Sequence, residues 1–323
     1  MCTPAISVVM SVYSEPIQWI GEAIDSILQQ TFRDFEFIII NDNPSRPENG
    51  VFLQSCQDKD ARIILLRNES NIGLTQSLNK GLNIAKGKYI ARMDADDISL
   101  PTRLQKQFDF MESHPDTGIC GSWIKYFGGR DSVCRYPEIH AHMFLFFKSV
   151  FAHPVVFIRK EILSKHKLKY DENIRYSQDY DLWERIYPYT QFYNLPEVLL
   201  YYRISERQIS SNHTQEQLKI TSKIRRRAFN RYCDLNRINY NIPIEVTLET
   251  IIRYKQVFIQ KKPDYPFDVN EVLYYIYRSV NKNYIKTFLY FLYSGDCFRL
   301  SFTCCLKIVY CYFYNRREHQ LFS

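Results

Sequence analysis

Glycine-rich phosphate-binding motifs are absent from this sequence of 323 residues, which contains ten glycines. No Gly-x-Gly-x-x-Gly follows the first apolar run, and Gly-x-x-x-x-Gly-Lys-Ser/Thr occurs nowhere. Those motifs bring backbone N–H groups to a dinucleotide or a nucleoside triphosphate. Their absence excludes the common dehydrogenase and P-loop classes, so any bound diphosphate must be held by other means.

Paired cysteine motifs are also missing. The nine cysteines are odd in number, show no Cys-x-x-Cys spacing and lie scattered through apolar runs. This pattern predicts reduced, mostly buried thiols in a cytoplasmic compartment. No charged leader precedes an apolar core at the N-terminus, so we expect no secretory signal.

A concentrated basic arm and a long apolar run are two further absences. The net charge of +7 is spread along the chain, so nucleic acid is not an expected partner. The last sixty residues are rich in aromatics, yet charged residues interrupt every run before the ~18 to 20 apolar residues that a spanning helix needs. Two interpretations stay open for this segment: an aromatic and basic surface in the membrane interface, or a packed helical bundle.

What the sequence does contain is a regular alternation of short apolar runs and helical segments over its first 127 residues. This alternation is typical of an α/β fold with a mostly parallel sheet flanked by helices. Strands are predicted at Ile6–Val12, Phe35–Ile40, Ile63–Leu66, Tyr89–Met93 and Gly118–Ile124. Further along, the pattern predicts a strand within Phe151–Arg159, a helix at Gln178–Ile186 and a basic helix at Gln215–Asn236.

Polar clusters directly follow the first four predicted strands. They are Tyr13-Ser14-Glu15, Asn41-Asp42-Asn43, Asn68 to Gly73, and Asp94 to Asp97. Because ligands of open α/β sheets bind at the carboxyl ends of the strands, these clusters predict one nucleotide-sized cleft.

Three carboxylates stand within four positions at Asp94, Asp96 and Asp97. Such a group repels itself unless a cation or several donors compensate it, and Mg²⁺ prefers a few carboxylates together with diphosphate oxygens. A calcium loop fails on spacing, since Ser99 and Gln105 occupy its glycine and glutamate positions. The alternative is a solvated acidic turn that caps the helix near Pro101.

Four segments in order resemble family 2 of inverting glycosyltransferases with the GT-A fold, of the bacterial surface-polysaccharide type. They are Ser7–Glu15, Asn41–Asp42, Asn71–Gly81 and Tyr89–Asp97. The resemblance implies a catalytic domain at residues 1–215, with a nucleotide-sugar half at about 1–125 and an acceptor half at about 126–215. A helical, aromatic-rich C-terminal extension at residues 216–323 would follow.

The resemblance also implies roles for individual residues on the donor side. Asp42 would bind the base, Asp94 the ribose, and Asp96 a Mn²⁺ or Mg²⁺ ion whose shell His213 would complete from a C-terminal flap. The residues implied to bind the donor are Ser11, Val12, Tyr13, Glu15, Asp42, Asn71, Lys80 and Asp94.

On the acceptor side, Gln178-Asp179 resembles the Glu-Asp pair of the family, which makes Asp179 the candidate base. Single displacement needs one carboxylate to take the acceptor hydroxyl's proton. Gln178 departs from the family pattern, which weakens inferences about the acceptor, and Asp181 is an alternative base. His153, Gln178 and Trp183 are candidate acceptor residues.

The leading hypothesis is metal-assisted, inverting transfer of a hexose or N-acetylhexosamine from a UDP-sugar to a glycan or lipid-linked glycan. Nucleotidyl transfer is one alternative, although Ser14-Glu15-Pro16 stands where that class has a glycine-rich loop with a basic residue. An inactive sugar-nucleotide or glycan binder is another, against which the intact Asp94, Asp96 and Asp179 argue. We expect a cytoplasmic enzyme, acting at the inner membrane face if its C-terminal surface binds lipid.

Overall fold

The computed structural model describes residues 3–129, 131–138, 145–205, 214–260, 268–278, 284–301, 303, 305–306 and 308. The chain divides into two compact units. The first comprises residues 1–142 and 149–212, and the second comprises residues 143–148 and 213–323. The donor half inferred from the sequence, at about 1–125, belongs to the first unit. The inferred acceptor half, at about 126–215, belongs to it except for residues 143–148 and 213–215, which are assigned to the second unit.

The first unit is built on strands and short helices. Its strands are β1 Ile6–Val12, β2 Phe35–Asn41, β3 Ile63–Arg67, β4 Tyr89–Asp94, β5 Ile98–Ser99, β6 Thr117–Phe127, β7 Val133–Cys134, β8 Phe157–Arg159 and β9 Gln191–Arg203. Its α-helices are α1 Ile17–Leu28, α2 Pro47–Lys59, α3 Leu74–Ile84, α4 Arg103–Ser113, α5 Lys160–Lys165 and α6 Gln178–Ile186.

Within the described part of the chain, these strands form one sheet in the order β3-β2-β1-β4-β8-β6-β9-β5, with β7 paired to β6. Strands β3, β2, β1 and β4 run parallel, as do β6 and β9. Strand β8 lies antiparallel between β4 and β6. The predicted α/β class with a mostly parallel, helix-flanked sheet is confirmed.

Buried apolar faces hold the sheet and helices together. Strand β2 is buried along its whole length, and α1 buries Ile20, Ala23, Ile24 and Ile27 at helical spacing. In register, Ser11 of β1 lies opposite Ile40 of β2 and opposite Asp94 of β4. The carboxyl ends of β1, β2 and β4 therefore lie side by side at one edge of the sheet. The polar residues that follow these strands are brought together there.

The strand predicted within Phe151–Arg159 is shorter than that window. A 3-10 turn occupies His153–Val155, and only Phe157–Arg159 forms β8. Pro154 has no N–H to give to a sheet and favours a turn, whereas Val155 donates its N–H back to the Ala152 carbonyl at 3.2 Å. The apolar character of this stretch comes from burial of the turn as well as of the strand.

The second unit is helical wherever the structure describes a regular element in it. Its helices are α7 Thr214–Leu235, α8 Leu248–Tyr254, a π-helix at Lys255–Gln260, α9 Val269–Arg278, α10 Tyr284–Tyr293 and a 3-10 turn at Asp296–Phe298. The predicted basic helix at Gln215–Asn236 corresponds to α7. A helical C-terminal region is thus confirmed.

Aromatic rings form much of the core of this unit. The Tyr254 ring lies 4.8 Å from that of Phe258 and 5.6 Å from that of Tyr240. A buried ion pair lies in the same unit, with Lys255 Nζ 2.8 Å from Asp296 Oδ1. The hydroxyl of Tyr277 also donates to Asp296 Oδ2, at 2.5 Å.

Some apolar side chains of the second unit remain on its surface. The exposed fractions are 45% for Leu289, 46% for Leu292, 88% for Tyr293 and 91% for Phe298. Among the described residues, no helix combines the length and the apolar character needed to cross a membrane.

Candidate active site

An acidic turn follows β4 at the edge where β1, β2 and β4 end. One carboxylate oxygen from each of Asp94, Asp96 and Asp97 lies within 4.8 Å of the other two. Asp97 is buried, and its Oδ1 accepts the N–H of Arg203 at 2.9 Å. Its Oδ2 is buried and has no hydrogen-bond partner among the residues that the structure describes.

The electrostatics of this turn are those of a site that needs a cation. Burial raises the pKa of Asp96 to about 7, and the charges of Asp94 and Glu15 add to the rise. Burial also raises the pKa of Asp97 well above its ordinary value, helped by Asp94 and Asp96. Converging carboxylates, one with an orphaned oxygen, fit a hard divalent ion such as Mg²⁺ or Mn²⁺.

Arg92 is a functional candidate that the sequence motifs did not reveal. It lies in β4 with its side chain 3% exposed, and its Nη1 forms an ion pair with Asp94 Oδ1. The Arg92 guanidinium is buried beside Asp94, and this ion pair fixes the orientation of the Asp94 carboxylate. The one signal in the sequence is a charged residue inside the apolar run Tyr89-Ile-Ala-Arg-Met.

On the nucleoside side, Asp42 organises the loop after β3. Its Oδ1 accepts hydrogen bonds from Asn68 Nδ2 at 2.8 Å and from the Ile72 N–H at 2.9 Å. Its Oδ2 accepts the N–H of Gly73 at 2.9 Å. Gly73 has φ +83°, a conformation that glycine adopts without strain.

Asn71 and Lys80 belong to the same network. Asn71 Oδ1 accepts the Gly73 N–H at 3.0 Å, and the exposed Lys80 donates from Nζ to Asn68 Oδ1 at 2.8 Å. Asn68 therefore connects Lys80 to Asp42, a role that only its position directly after β3 suggested. The structure brings Asp42, Asn71 and Lys80 together.

In the segment that follows β1, the Glu15 side chain binds the main chain of Tyr13. Glu15 Oε2 accepts the N–H of Tyr13 at 2.8 Å, and burial raises the pKa of Glu15. The Tyr13 side chain is 43% exposed and Ser11 is half-buried. The Val12 side chain is buried in the core, and its carbonyl accepts the Asp42 N–H at 2.9 Å.

An open cavity of about 650 Å³ lies beside α2 and the ends of β2 and β3. Its polar lining includes Asn41, Arg46, Arg67 and Asn68. None of its lining residues belongs to the acidic turn. The cavity therefore lies beside Asn41 and Asn68, on the side of the site predicted to bind the nucleoside.

Asp179 lies in the first turn of α6, within electrostatic range of Asp94 and Arg92. Burial raises its pKa, to which the charge of Asp94 adds while that of Arg92 opposes it. Ser177 precedes the helix with φ 58° and ψ 28°, a left-handed conformation for a residue other than glycine. Such strain is common where a side chain must be aimed at a site.

The half-buried His153 and the buried Tyr170 form a pair within electrostatic range of Arg92. His153 Nε2 lies 2.7 Å from the Tyr170 hydroxyl oxygen. Burial and the nearby Arg92 charge hold the pKa of His153 well below its ordinary value. Burial raises the pKa of Tyr170, and the charges of Asp179 and Asp94 raise it further. Both groups are therefore neutral near pH 7.

Trp183 and Gln178, the other predicted acceptor residues, both lie on α6. Trp183 is fully buried, with its ring 6.1 Å from that of His153, and its Nε1 has no hydrogen-bond partner. It presents no surface to an acceptor in this structure, and its role stays a prediction. Gln178 is half-buried at the first position of the helix.

Asp181, the alternative base, is 1% exposed and is not free to serve that role. Its Oδ2 accepts Arg185 Nε at 2.8 Å, and Arg185 Nη2 donates to the Lys169 carbonyl at 2.7 Å. This pair fastens α6 to the preceding loop. His213, the predicted additional metal ligand, lies outside the described residues.

The sequence matches the family described as "Glycosyl transferase family 2" over residues 7–167. It is 42% identical over 214 residues to an uncharacterised glycosyltransferase of Methanocaldococcus jannaschii, covering 64% of this chain and 73% of the relative. The chain belongs to glycosyltransferase family 2. This family 2 glycosyltransferase is also 37% identical over 207 residues to the O-antigen biosynthesis glycosyltransferase WbnJ of Escherichia coli, over 62% of this chain and 79% of WbnJ.

Solved structures place the family 2 glycosyltransferase in the GT-A fold. TarS 1-349 of S. aureus in complex with UDP-GlcNAc has a TM-score of 0.60 at 16% identity, covering 96% of this chain and 92% of that one. The mannosyltransferase PcManGT from Pyrobaculum calidifontis, in complex with GDP-Man and Mn²⁺, has a TM-score of 0.56 at 12% identity, covering 95% and 79%. The predicted family and fold are confirmed.

Proposed function

We propose that this glycosyltransferase transfers a hexose or N-acetylhexosamine from a UDP-sugar to a glycan or lipid-linked glycan, with inversion and with a divalent metal. The observation that carries the proposal is the convergence of the Asp94, Asp96 and Asp97 carboxylates at the end of β4, where their oxygens lie within 4.8 Å of one another. Asp179 on α6 is close enough for the charge of Asp94 to affect its pKa. A single displacement requires one carboxylate that accepts the proton of the acceptor hydroxyl. It also requires groups that stabilise the charge on the leaving diphosphate, which the carboxylates on the donor side would do by holding a metal.

Asp96 would hold Mn²⁺ or Mg²⁺ together with diphosphate oxygens, and Asp94, oriented by Arg92, would address the ribose. The bound ion would neutralise the charge that develops on the leaving diphosphate. Asp42 would meet the base, beside a wall formed by Ser11, Tyr13, Glu15 and the Val12 main chain. His213 remains a proposed further ligand of the ion.

Asp179 would act as the base. It takes the proton of the acceptor hydroxyl while that oxygen bonds to the anomeric carbon and the bond to the diphosphate breaks on the opposite face. The configuration inverts in this one step. Neutral His153 and Tyr170 would supply uncharged hydrogen-bonding groups at the acceptor side, where Gln178 is also placed.

Support for a UDP-sugar and for a glycan acceptor comes from the named relatives. TarS is described in complex with UDP-GlcNAc, and WbnJ is described as an O-antigen biosynthesis enzyme. Nucleotidyl transfer gains nothing from the site, because the segment after β1 presents the Glu15 carboxylate, near Asp94, where a triphosphate would lie.

Asp179→Asn tests the proposed base. It removes the proton acceptor but keeps the size and polarity of the side chain, so transfer should fall by about 10²–10⁴-fold. Binding of UDP with Mn²⁺, measured by calorimetry, should persist. Asp116→Asn, the same change at an exposed position, is the matched control and should retain activity. Loss of UDP binding in Asp179→Asn would refute the role.

The donor is tested separately by following nucleotide release from a panel of UDP- and GDP-sugars with Mn²⁺. Faster release from a UDP-hexose or UDP-N-acetylhexosamine supports the proposal, and preference for a GDP-sugar overturns the donor assignment alone. No release or transfer from any donor would favour a binding protein.

We also propose that the second unit contacts a membrane surface at the cytoplasmic face. Exposed Leu289, Leu292, Tyr293 and Phe298 provide apolar and aromatic contact area. Arg299 follows this group directly with its side chain 49% exposed, and a cation at that place would meet anionic headgroups.

A further inference from the structure

Arg203, the last residue of β9, contacts the acidic turn twice. Its main-chain N–H donates to Asp97 Oδ1 at 2.9 Å, and its side-chain Nε donates to the Asp96 carbonyl at 2.7 Å. The Arg203 side chain is only 12% exposed. A single residue thus binds both the backbone and a carboxylate of the turn, although Arg203 and Asp97 are 106 positions apart in the sequence.

The guanidinium of Arg203 is itself fixed from other directions. Its Nη2 pairs with a Glu22 carboxylate oxygen on α1. Its central carbon lies 4.7 Å from the ring centre of Trp19 and 4.4 Å from that of Phe127. Two aromatic rings and one carboxylate leave the planar group little freedom, because arginine both stacks on rings and binds oxygens in a fixed geometry.

The acidic turn needs such support because repulsion between its carboxylates destabilises it. Asp94, Asp96 and Asp97 converge, and their charges repel one another. The short β5 that follows pairs with β9 through two register positions only, Ile98 with Tyr201 and Ser99 with Leu200. Arg92 restrains Asp94 from within β4. Arg203 restrains the opposite end of the turn, at Asp96 and Asp97.

We propose that Arg203 is a positioning residue that holds Asp96 and Asp97 in the arrangement that binds a divalent cation with the donor diphosphate. Its role rests on the function proposed above, and it adds a residue of β9 to the site. Arg203 touches neither substrate nor ion in this scheme. It acts by fixing the main chain that carries Asp96.

Arg203→Met is the direct test, since methionine keeps an unbranched stem and loses the guanidinium. We expect the affinity for Mn²⁺ in the presence of UDP to weaken by about tenfold, the size of one lost charge-assisted hydrogen bond. The Mn²⁺ concentration for half-maximal transfer should rise likewise, while kcat at saturating Mn²⁺ changes less. Arg203→Lys should recover part of the affinity.

A readout that needs no metal is amide hydrogen exchange of residues 95–99 in the metal-free protein. It should speed up in Arg203→Met and stay unchanged in Lys106→Met, which removes a cation from an exposed ion pair with Glu197. If Arg203→Met fails to fold, Glu22→Gln replaces it, with a smaller shift in the same direction. Unchanged exchange and unchanged Mn²⁺ affinity would overturn the proposal.

Failure of the proposed function would look different. A wild-type protein that transfers no sugar and binds no UDP with Mn²⁺ removes the enzyme assignment. The exchange of residues 95–99 would still report whether Arg203 restrains the turn.

Discussion

At the scale of single residues, the half-buried carboxylate of Asp179 makes the proposed reaction depend on pH. Asp179 must be ionised to accept a proton, and burial raises its pKa above that of an exposed aspartate, about 3.9. Because the protonated form is inactive, kcat should begin to fall at a higher pH than it would for an exposed aspartate, and should fall further as the pH decreases.

The measurement is kcat at saturating donor and Mn²⁺ between about pH 4 and 8, a range that reaches the ordinary aspartate pKa of about 3.9 at its lower end. Binding of UDP with Mn²⁺ is followed at each pH, so that loss of the metal site is separated from loss of the base. A rate that stays constant down to about pH 4, with binding intact, contradicts a base whose pKa is raised.

Residues within short motifs could be predicted, and residues that act across the fold could not. The spacing of Asp94, Asp96 and Asp97 predicted their acidic cluster. In the structure, Asp179 lies within electrostatic range of Asp94 in this cluster. Arg92 and Arg203 were missed because each gains its role from a partner on another element or from burial in a strand. Tyr170 was missed because its environment is set by Arg92, Asp179 and Asp94, which come from β4 and α6.

At the scale of elements, the approach of α3 to the sheet is limited by Gly81. A Cβ at this position would lie 2.6 Å from Val9 Cγ1 and 3.1 Å from Ile40 Cδ1. Gly81→Ala should therefore destabilise the protein by about 1–3 kcal/mol, the usual range for overpacking. Denaturant unfolding of the whole chain measures this.

Gly50 of α2 is the matched control. A Cβ there meets nothing within 4 Å, and alanine favours the helix over glycine by about 0.5–1 kcal/mol. Gly50→Ala should leave stability unchanged or raise it. Equal effects of the two substitutions would mean that packing of α3 on β1 does not limit stability.

The first four strands were predicted to within one residue of their ends, because buried parallel strands are continuous apolar runs. Strand β9 was not predicted as a strand. It pairs with β6 through shifted register between Ser122 and Trp123, opposite the stretch that contains Pro196. A proline cannot donate to a ladder, so the local sequence argues against a strand that the long partner β6 nevertheless stabilises.

At the scale of the whole molecule, membrane binding by the second unit is the property to test. The full chain should co-float with vesicles that contain phosphatidylglycerol and phosphatidylcholine, and less with phosphatidylcholine alone. Leu292→Glu with Phe298→Glu should abolish flotation, because both side chains are exposed apolar groups and a carboxylate is repelled by anionic lipid.

Ile244→Glu supplies the control for that experiment, since Ile244 is 72% exposed in the same unit but lies outside α10 and the 3-10 turn. It should leave flotation unchanged. Flotation of the double variant at the wild-type level would show that this surface is not the contact.

The aromatic runs of the C-terminal sequence did not decide between a membrane-interface surface and a packed helical bundle, because a sequence does not distinguish buried from exposed tyrosines.

The position of β8 also matters for protein engineering. Strand β8 follows His153 in the acceptor half and joins β4, which carries Arg92 and Asp94, to β6 through backbone hydrogen bonds on both sides. An acceptor segment taken from a relative would therefore bring its own copy of a central strand. Chimaeras that change acceptor choice should keep residues 155–159 from the recipient, and exchange only what surrounds α6.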